Sequence, residues 1–189
     1  MGSSRFILTM TFRKLPGLPP YGPQALSFPD QWGLGAREGF VVEFTSDEGD
    51  TWVGNFQPGI AGVDELLSHP NGRDVIVISN GALWIVNPTT RAASEIASAM
   101  IDYWRVSDPD GYVFNNQGLS FIRMSARGVV WNSRRISWDG FSNLRLEDDR
   151  LSGSAWTPID DAWLPFMLDL RTGRVEGGSY NGPDMEIGV

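Results

Sequence analysis

The stretch from Leu66 to Phe114 repeats one pattern, and that repetition constrains the fold more than any other feature of the chain. Ser68-His69-Pro70-Asn71-Gly72 leads into the apolar run Val75–Ile78, the turn Asn80-Gly81 and a second run, Leu83–Val86. One unit later, Ser107-Asp108-Pro109-Asp110-Gly111 leads into Tyr112–Phe114, the turn Asn116-Gln117-Gly118 and the run Leu119–Ile122. Proline presets its own φ and glycine accepts positive φ, so Ser-x-Pro-x-Gly is turn chemistry. Each copy reads as strand–turn–strand–turn–strand.

The pattern extends in both directions. Gly39–Phe44 is dense in β-branched and aromatic residues, Asp47-Glu48-Gly49-Asp50 turns the chain, and Thr51–Phe56 returns it. Val63–Leu67 reads as one helical turn or the first strand of the next unit, with the strand favoured. In the last unit Asn143–Leu146 precedes the turn Glu147-Asp148-Asp149-Arg150, and Pro158-Ile159-Asp160-Asp161 separates a middle strand from Leu164–Leu168. Middle strands begin near Phe40, Val75, Tyr112 and Leu151, at offsets of about 35–39 residues, a repeat-length period. Polar turns at Pro88–Arg91, Ser125–Gly128 and Arg171–Arg174 follow the third strands. Glu95–Ile101 is balanced between a short helix and an outer strand. Residues 1–39 are punctuated by Pro16, Pro19, Pro20, Pro23 and Pro29 and read as a loop-rich lead-in. Within it Arg5–Phe12 is a candidate strand and Gln31-Trp32-Gly33 an aromatic island. Residues 40–180 are expected to form a single all-β repeat domain. Gly177–Val189, with Gly182-Pro183, reads as loose, and residues 181–189 form the tail.

The two Ser-x-Pro-x-Gly phrases resemble the turn between the first two strands of a WD40-like β-propeller blade. Asp169-Leu170-Arg171-Thr172-Gly173-Arg174-Val175 resembles the phrase that ends a third strand in such repeats. The resemblance implies a small propeller-like array of about four hairpin units, with a two-sheet β-sandwich or an irregular barrel as alternatives. No Trp-Asp pair closes a third strand in the WD40 manner. Arg134–Gly140 and Trp156–Tyr180 resemble a small group of uncharacterised bacterial proteins of about this length, which implies no activity.

The chain has 189 residues, 41% of them hydrophobic, enough for a sizeable core. There is no run of about 18 apolar residues to span a membrane. The apolar patch Phe6–Met10 is too short for a secretion signal, so a cytoplasmic location is expected. The absence of cysteine excludes disulfides, Cys-ligated zinc and thiol nucleophiles. A net charge of −8 repels phosphate backbones and suits a basic partner.

Few residues carry legible chemistry. His69 is the single histidine, sits inside a turn, and has no nucleophile elbow to serve. No phosphate-binding glycine motif is present, so no cofactor is expected. Arg134 and Arg135 beside Trp138-Asp139-Gly140 can grip an anion, or one of the pair can ion-pair with Glu147 or Asp149. Of eight tryptophans, Trp84, Trp104 and Trp131 fall on strand positions that fill the core, whereas Trp32, Trp138 and Trp163 lie near turns and are candidates for exposure. The expected binding residues are Arg134, Arg135, Trp138, Asp139 and Trp163. The expected function is a non-catalytic interaction module for a protein partner. Sugar recognition through exposed tryptophan is the second reading. A hydrolase using the carboxylates Asp160 and Asp161 is the third.

Overall fold

The computed structural model describes residues 10–30, 32, 37–107 and 110–183, and they contain strands and no helix. The chain divides into two compact units, Met1–Ser98 and Ala99–Val189, each built from two four-stranded sheets.

In the first unit, sheet one has the order β1 (Thr11–Lys14), β3 (Phe40–Thr45), β4 (Thr51–Phe56), β2 (Leu26–Phe28). The proline-rich lead-in is therefore not only loop: it supplies both flanking strands of this sheet. β2 runs parallel to β4, pairing Leu26 with Gly54 and Phe28 with Phe56. Of the candidate strand Arg5–Phe12, residues 5–9 lie outside the described residues, as do Gln31 and Gly33 beside Trp32. Sheet two is the meander β5 (Glu65–Ser68), β6 (Val75–Ser79), β7 (Ala82–Asn87), β8 (Ala92–Ala97). Every second residue of facing strands enters one core: Phe40, Val42 and Phe44 from sheet one meet Val75, Val77, Trp84 and Val86 from sheet two. Phe44 stacks on Trp52 at 4.5 Å between ring centroids. The Trp52 indole donates to Pro88 O at 2.8 Å, tying sheet one to the turn after β7. Asn80 and Gly81 both have positive φ (44° and 90°), the backbone that a two-residue hairpin turn demands.

In the second unit, sheet three is the meander β9 (Met100–Ser107), β10 (Asp110–Asn116), β11 (Ser120–Ser125), β12 (Gly128–Asn132). Sheet four is the meander β13 (Phe141–Glu147), β14 (Arg150–Thr157), β15 (Ala162–Asp169), β16 (Val175–Gly177). Their shared core holds Val113, Phe121, Leu151, Ala155, Phe166 and Leu168, with Phe121 stacked on Phe141 at 4.7 Å. Trp104 and Trp131 pack against it from the side.

Of the two readings of Glu95–Ile101, the outer strand is the one found over Glu95–Ala97: Trp84 pairs with Glu95 and Leu83 with Ala97. Pairing to β7 overrides the helical preference of a short segment. The C-terminal stretch is not loose from Gly177 onward, because Ser179 and Tyr180 are buried and both backbone N–H groups donate to Ile136 O.

Candidate functional site

The connection from β12 to β13, Ser133–Gly140, is held by its own arginines. Arg134 donates from Nη1 to Arg135 O (2.9 Å) and Tyr180 O (3.3 Å), and from Nη2 to Gly177 O (2.6 Å). Arg135 donates from Nε to Ser137 O (2.9 Å) and from Nη2 to Trp138 O (2.7 Å). Its guanidinium also lies 4.4 Å from the centroid of the Tyr180 ring and 5.4 Å from that of Trp138. Both forks are thus committed to backbone carbonyls. Neither arginine pairs with Glu147 or Asp149; Asp149 pairs instead with Arg171 at 2.7 Å.

The same connection grips the end of β14. Trp156 O accepts from Trp138 N (3.2 Å) and Ser179 Oγ (2.6 Å), while Gly140 O accepts from Trp156 N (3.2 Å) and Ser137 Oγ (2.6 Å). Trp138 is half-buried against Tyr180, its indole N–H enclosed without a hydrogen-bond partner, and Asp139 is exposed.

These bonds determine where Trp163 lies. The backbone of Trp156 is spent on the 138–140 side, so Trp156 and its register partner Trp163 form a non-hydrogen-bonded pair with side chains on the same face. Ala155, Leu151, Phe166 and Leu168 point into the core, so the two tryptophans, one residue out of phase, occupy the opposite face. Trp163 is 49% exposed and is the one exposed tryptophan of the eight. Beyond it the β14–β15 turn carries Ile159, 74% exposed, and the exposed carboxylates Asp160 and Asp161. Neither carboxylate has a side-chain partner among the described residues.

The residues singled out in the sequence thus form one end of sheet four, in two layers. Arg134, Arg135 and Trp138 are the support behind Trp156. Trp163, Asp160 and Asp161 are the surface. Ile159 and Trp156 were missed, although Trp156 and Trp163 are equidistant from the centre of the Pro158–Asp161 turn, a spacing that itself announces a cross-strand pair.

Elsewhere in the second unit an open cleft of about 650 Å3 is lined by Arg105, Val106, Ser107, Asp110, Leu146 and Asp148. Arg105 and Asp110 pair across two contacts of 3.2 and 3.3 Å, and that hydrogen-bonded pairing lowers the Asp110 pKa and raises that of Arg105. His69 is buried within its turn, with Nδ1 accepting from Asn71 N at 3.2 Å, and burial lowers its pKa. Among the described residues no group of three or more His, Asp or Glu side chains is gathered to hold a metal ion, and no helix is long and apolar enough to cross a membrane. No family model, curated protein or solved structure matches the chain.

Proposed function

We propose that the protein is a non-catalytic interaction module, and that the β14–β15 end of sheet four receives a basic segment of a partner protein. The observation that carries this reading is the conjunction on one hairpin of two exposed apolar side chains, Ile159 and Trp163, with two carboxylates that have no internal partner. Apolar contact with a charged rim is how protein interfaces combine affinity with orientation. The net charge of −8 steers a cationic segment toward the molecule. The support behind the hairpin, Ser179 on Trp156 O and Arg135 on the carbonyls of Ser137 and Trp138, favours one geometry of the surface before binding, which lowers the ordering cost of association. The propeller-like reading of the array goes with this function. Three successive meanders, β5–β8, β9–β12 and β13–β16, have the form of blades, and such scaffolds present their loops for recognition.

The test is a titration with a synthetic peptide alternating lysine and leucine, followed by tryptophan fluorescence. Binding is expected to weaken at least about tenfold between about 50 and 500 mM salt, and to be lost in Trp163→Ala and in Asp160→Asn/Asp161→Asn. Unchanged affinity in either variant refutes the reading. Salt-independent fluorescence shifts with neutral oligosaccharides, lost in Trp163→Ala, would instead favour sugar stacking on the outer face of sheet four.

A further inference from the structure

A second surface of the same unit complements the first. β12, an edge of sheet three, reads Gly128-Val129-Val130-Trp131-Asn132. Charged residues on edge strands keep proteins from pairing edge to edge. Among the described residues every other edge strand longer than three residues carries one, such as Lys14 on β1, Glu65 on β5, Glu95 on β8, Arg105 on β9 and Glu147 on β13. β12 carries none. Val129 and Val130 are 41% and 48% exposed, and Val130 has no partner in β11, because the register jumps from Trp131 opposite Arg123 to Val129 opposite Met124.

Two exposed cations flank this edge. Arg127 is exposed in the turn that enters β12. At the other end the turn after β15 lies on the Trp131 indole: Trp131 Nε1 donates to Leu170 O at 3.2 Å, and a Cβ on Gly173 would fall 2.8 Å from the ring. The next residue, Arg174, is exposed. Neither Arg127 nor Arg174 has a side-chain partner among the described residues.

We propose that the segment received at the β14–β15 end is β12 of a second copy of this chain. Ile159 and Trp163 meet Val129 and Val130, and Asp160 and Asp161 meet Arg127 and Arg174. This rests on the reading of the β14–β15 end as a contact surface and names its partner. The two patches are different surfaces of one unit, so the contact is heterologous: each copy that docks its hairpin leaves its own β12 edge open to the next.

Charge exchange tests it. At physiological ionic strength, sedimentation of the wild-type chain from about 10 μM to about 1 mM is expected to give a mass that rises above 20.9 kDa without stopping at a dimer. Asp160→Lys/Asp161→Lys makes both patches basic, and Arg127→Glu/Arg174→Glu makes both acidic. Each variant alone is expected to stay at the monomer mass, with an unchanged far-ultraviolet spectrum. An equimolar mixture restores opposite charges at every contact and is expected to associate again. A wild-type mass fixed at the monomer, a dimer that both variants retain, or a mixture no larger than its components overturns the proposal. If the wild type does not associate yet binds the lysine–leucine peptide through Trp163, only the second-copy proposal falls. If it does neither, the contact-surface reading falls with it.

Discussion

Replacing Arg135 with alanine separates a structural arginine from a ligand-binding one. The substitution removes two charge-assisted hydrogen bonds, to Ser137 O at 2.9 Å and Trp138 O at 2.7 Å, and the contacts over Tyr180 and Trp138. A hydrogen bond to a charged group contributes about 1.5–3 kcal/mol when well buried, and a cation–π contact about 0.5–1 kcal/mol at exposed sites. Arg135 is only half-buried, and its contacts share one side chain, so the terms are not additive. The expected loss is about 2–4 kcal/mol, read from urea unfolding followed by tryptophan fluorescence. Arg135→Lys keeps a cation near the rings but loses the planar fork that reaches two carbonyls at once, so it is expected to recover less than half of that loss. Phosphate or citrate should shift the wild-type and Arg135→Ala transitions by the same amount, the general effect of such salts. A loss under about 0.5 kcal/mol, the size expected of an unremarkable surface change, would refute the reasoning. So would an anion-dependent stabilisation that disappears in Arg135→Ala. In either case the guanidinium would be open to a ligand rather than engaged by the backbone.

Three further outcomes follow from the same geometry. Ser179→Ala and Ser137→Ala should each destabilise by about 1–2 kcal/mol and combine non-additively, because Ser179 Oγ donates to Trp156 O and Ser137 Oγ to Gly140 O, each at 2.6 Å, on the two residues joined by the Trp156 N to Gly140 O bond; strictly additive losses in urea unfolding would contradict that coupling. Phe121→Ala should cost about 3–5 kcal/mol, since the fully buried ring packs on both Phe141 and Phe166, which also touch each other; a loss under about 1 kcal/mol would show that the second-unit core is not assembled as described. Burial lowers the His69 pKa, against a weaker opposing effect of the Asp74 charge, so the unfolded chain takes up the proton first as pH falls. Stability supplied by the neutral imidazole is therefore present above about pH 6.5 and is lost as pH drops toward the native value, with a slope of at most about 1.4 kcal/mol per pH unit. His69→Gln should flatten urea midpoints between about pH 7 and 5.5, before the carboxylates titrate; an unchanged slope in that variant would place the acid sensitivity elsewhere.

Much of the fold was legible because turns and strands depend on local chemistry. Asn80-Gly81 takes the positive φ values that its residue types favour, and Val75-Ile76-Val77-Ile78 has no comfortable conformation but a strand. What escaped the sequence depends on partners distant along the chain. β2 is three residues between prolines, and only pairing with β4 makes it a strand. Glu95 and Ile96 are extended because β7 is beside them, not because of their own propensities. The arginine pair at 134 and 135 stands out in the sequence by its charge, whereas its contacts in the structure are set by backbone carbonyls. Its donors are absorbed by carbonyls of Gly177 and Tyr180, more than 40 residues away, contacts that no spacing rule anticipates.

The four turns joining middle to third strands also show why attention falls on the last. In the first unit of the repeat, Asp47 accepts from Thr89 Oγ1 at 3.0 Å. In the second, Asn80 donates from Nδ2 to Gly59 O at 2.7 Å, and its backbone N–H donates to Asp64 Oδ1 at the same distance. In the third, Gly118 lies so close to the Gly140 backbone that a Cβ would fall 3.0 Å from its Cα, and Gly140 N donates to Gly118 O at 2.9 Å. Each of these turns is used by the fold. In the fourth, Ile159 N reaches Thr157 Oγ1 at 3.3 Å, a bond internal to the turn, and Ile159, Asp160 and Asp161 face outward. A repeat that engages three equivalent turns with neighbouring backbone or side chains and leaves the fourth apolar and acidic supports the contact proposed there, because Ile159 and Trp163 are exposed together on one hairpin and it is a patch, not a single exposed side chain, that marks a contact surface.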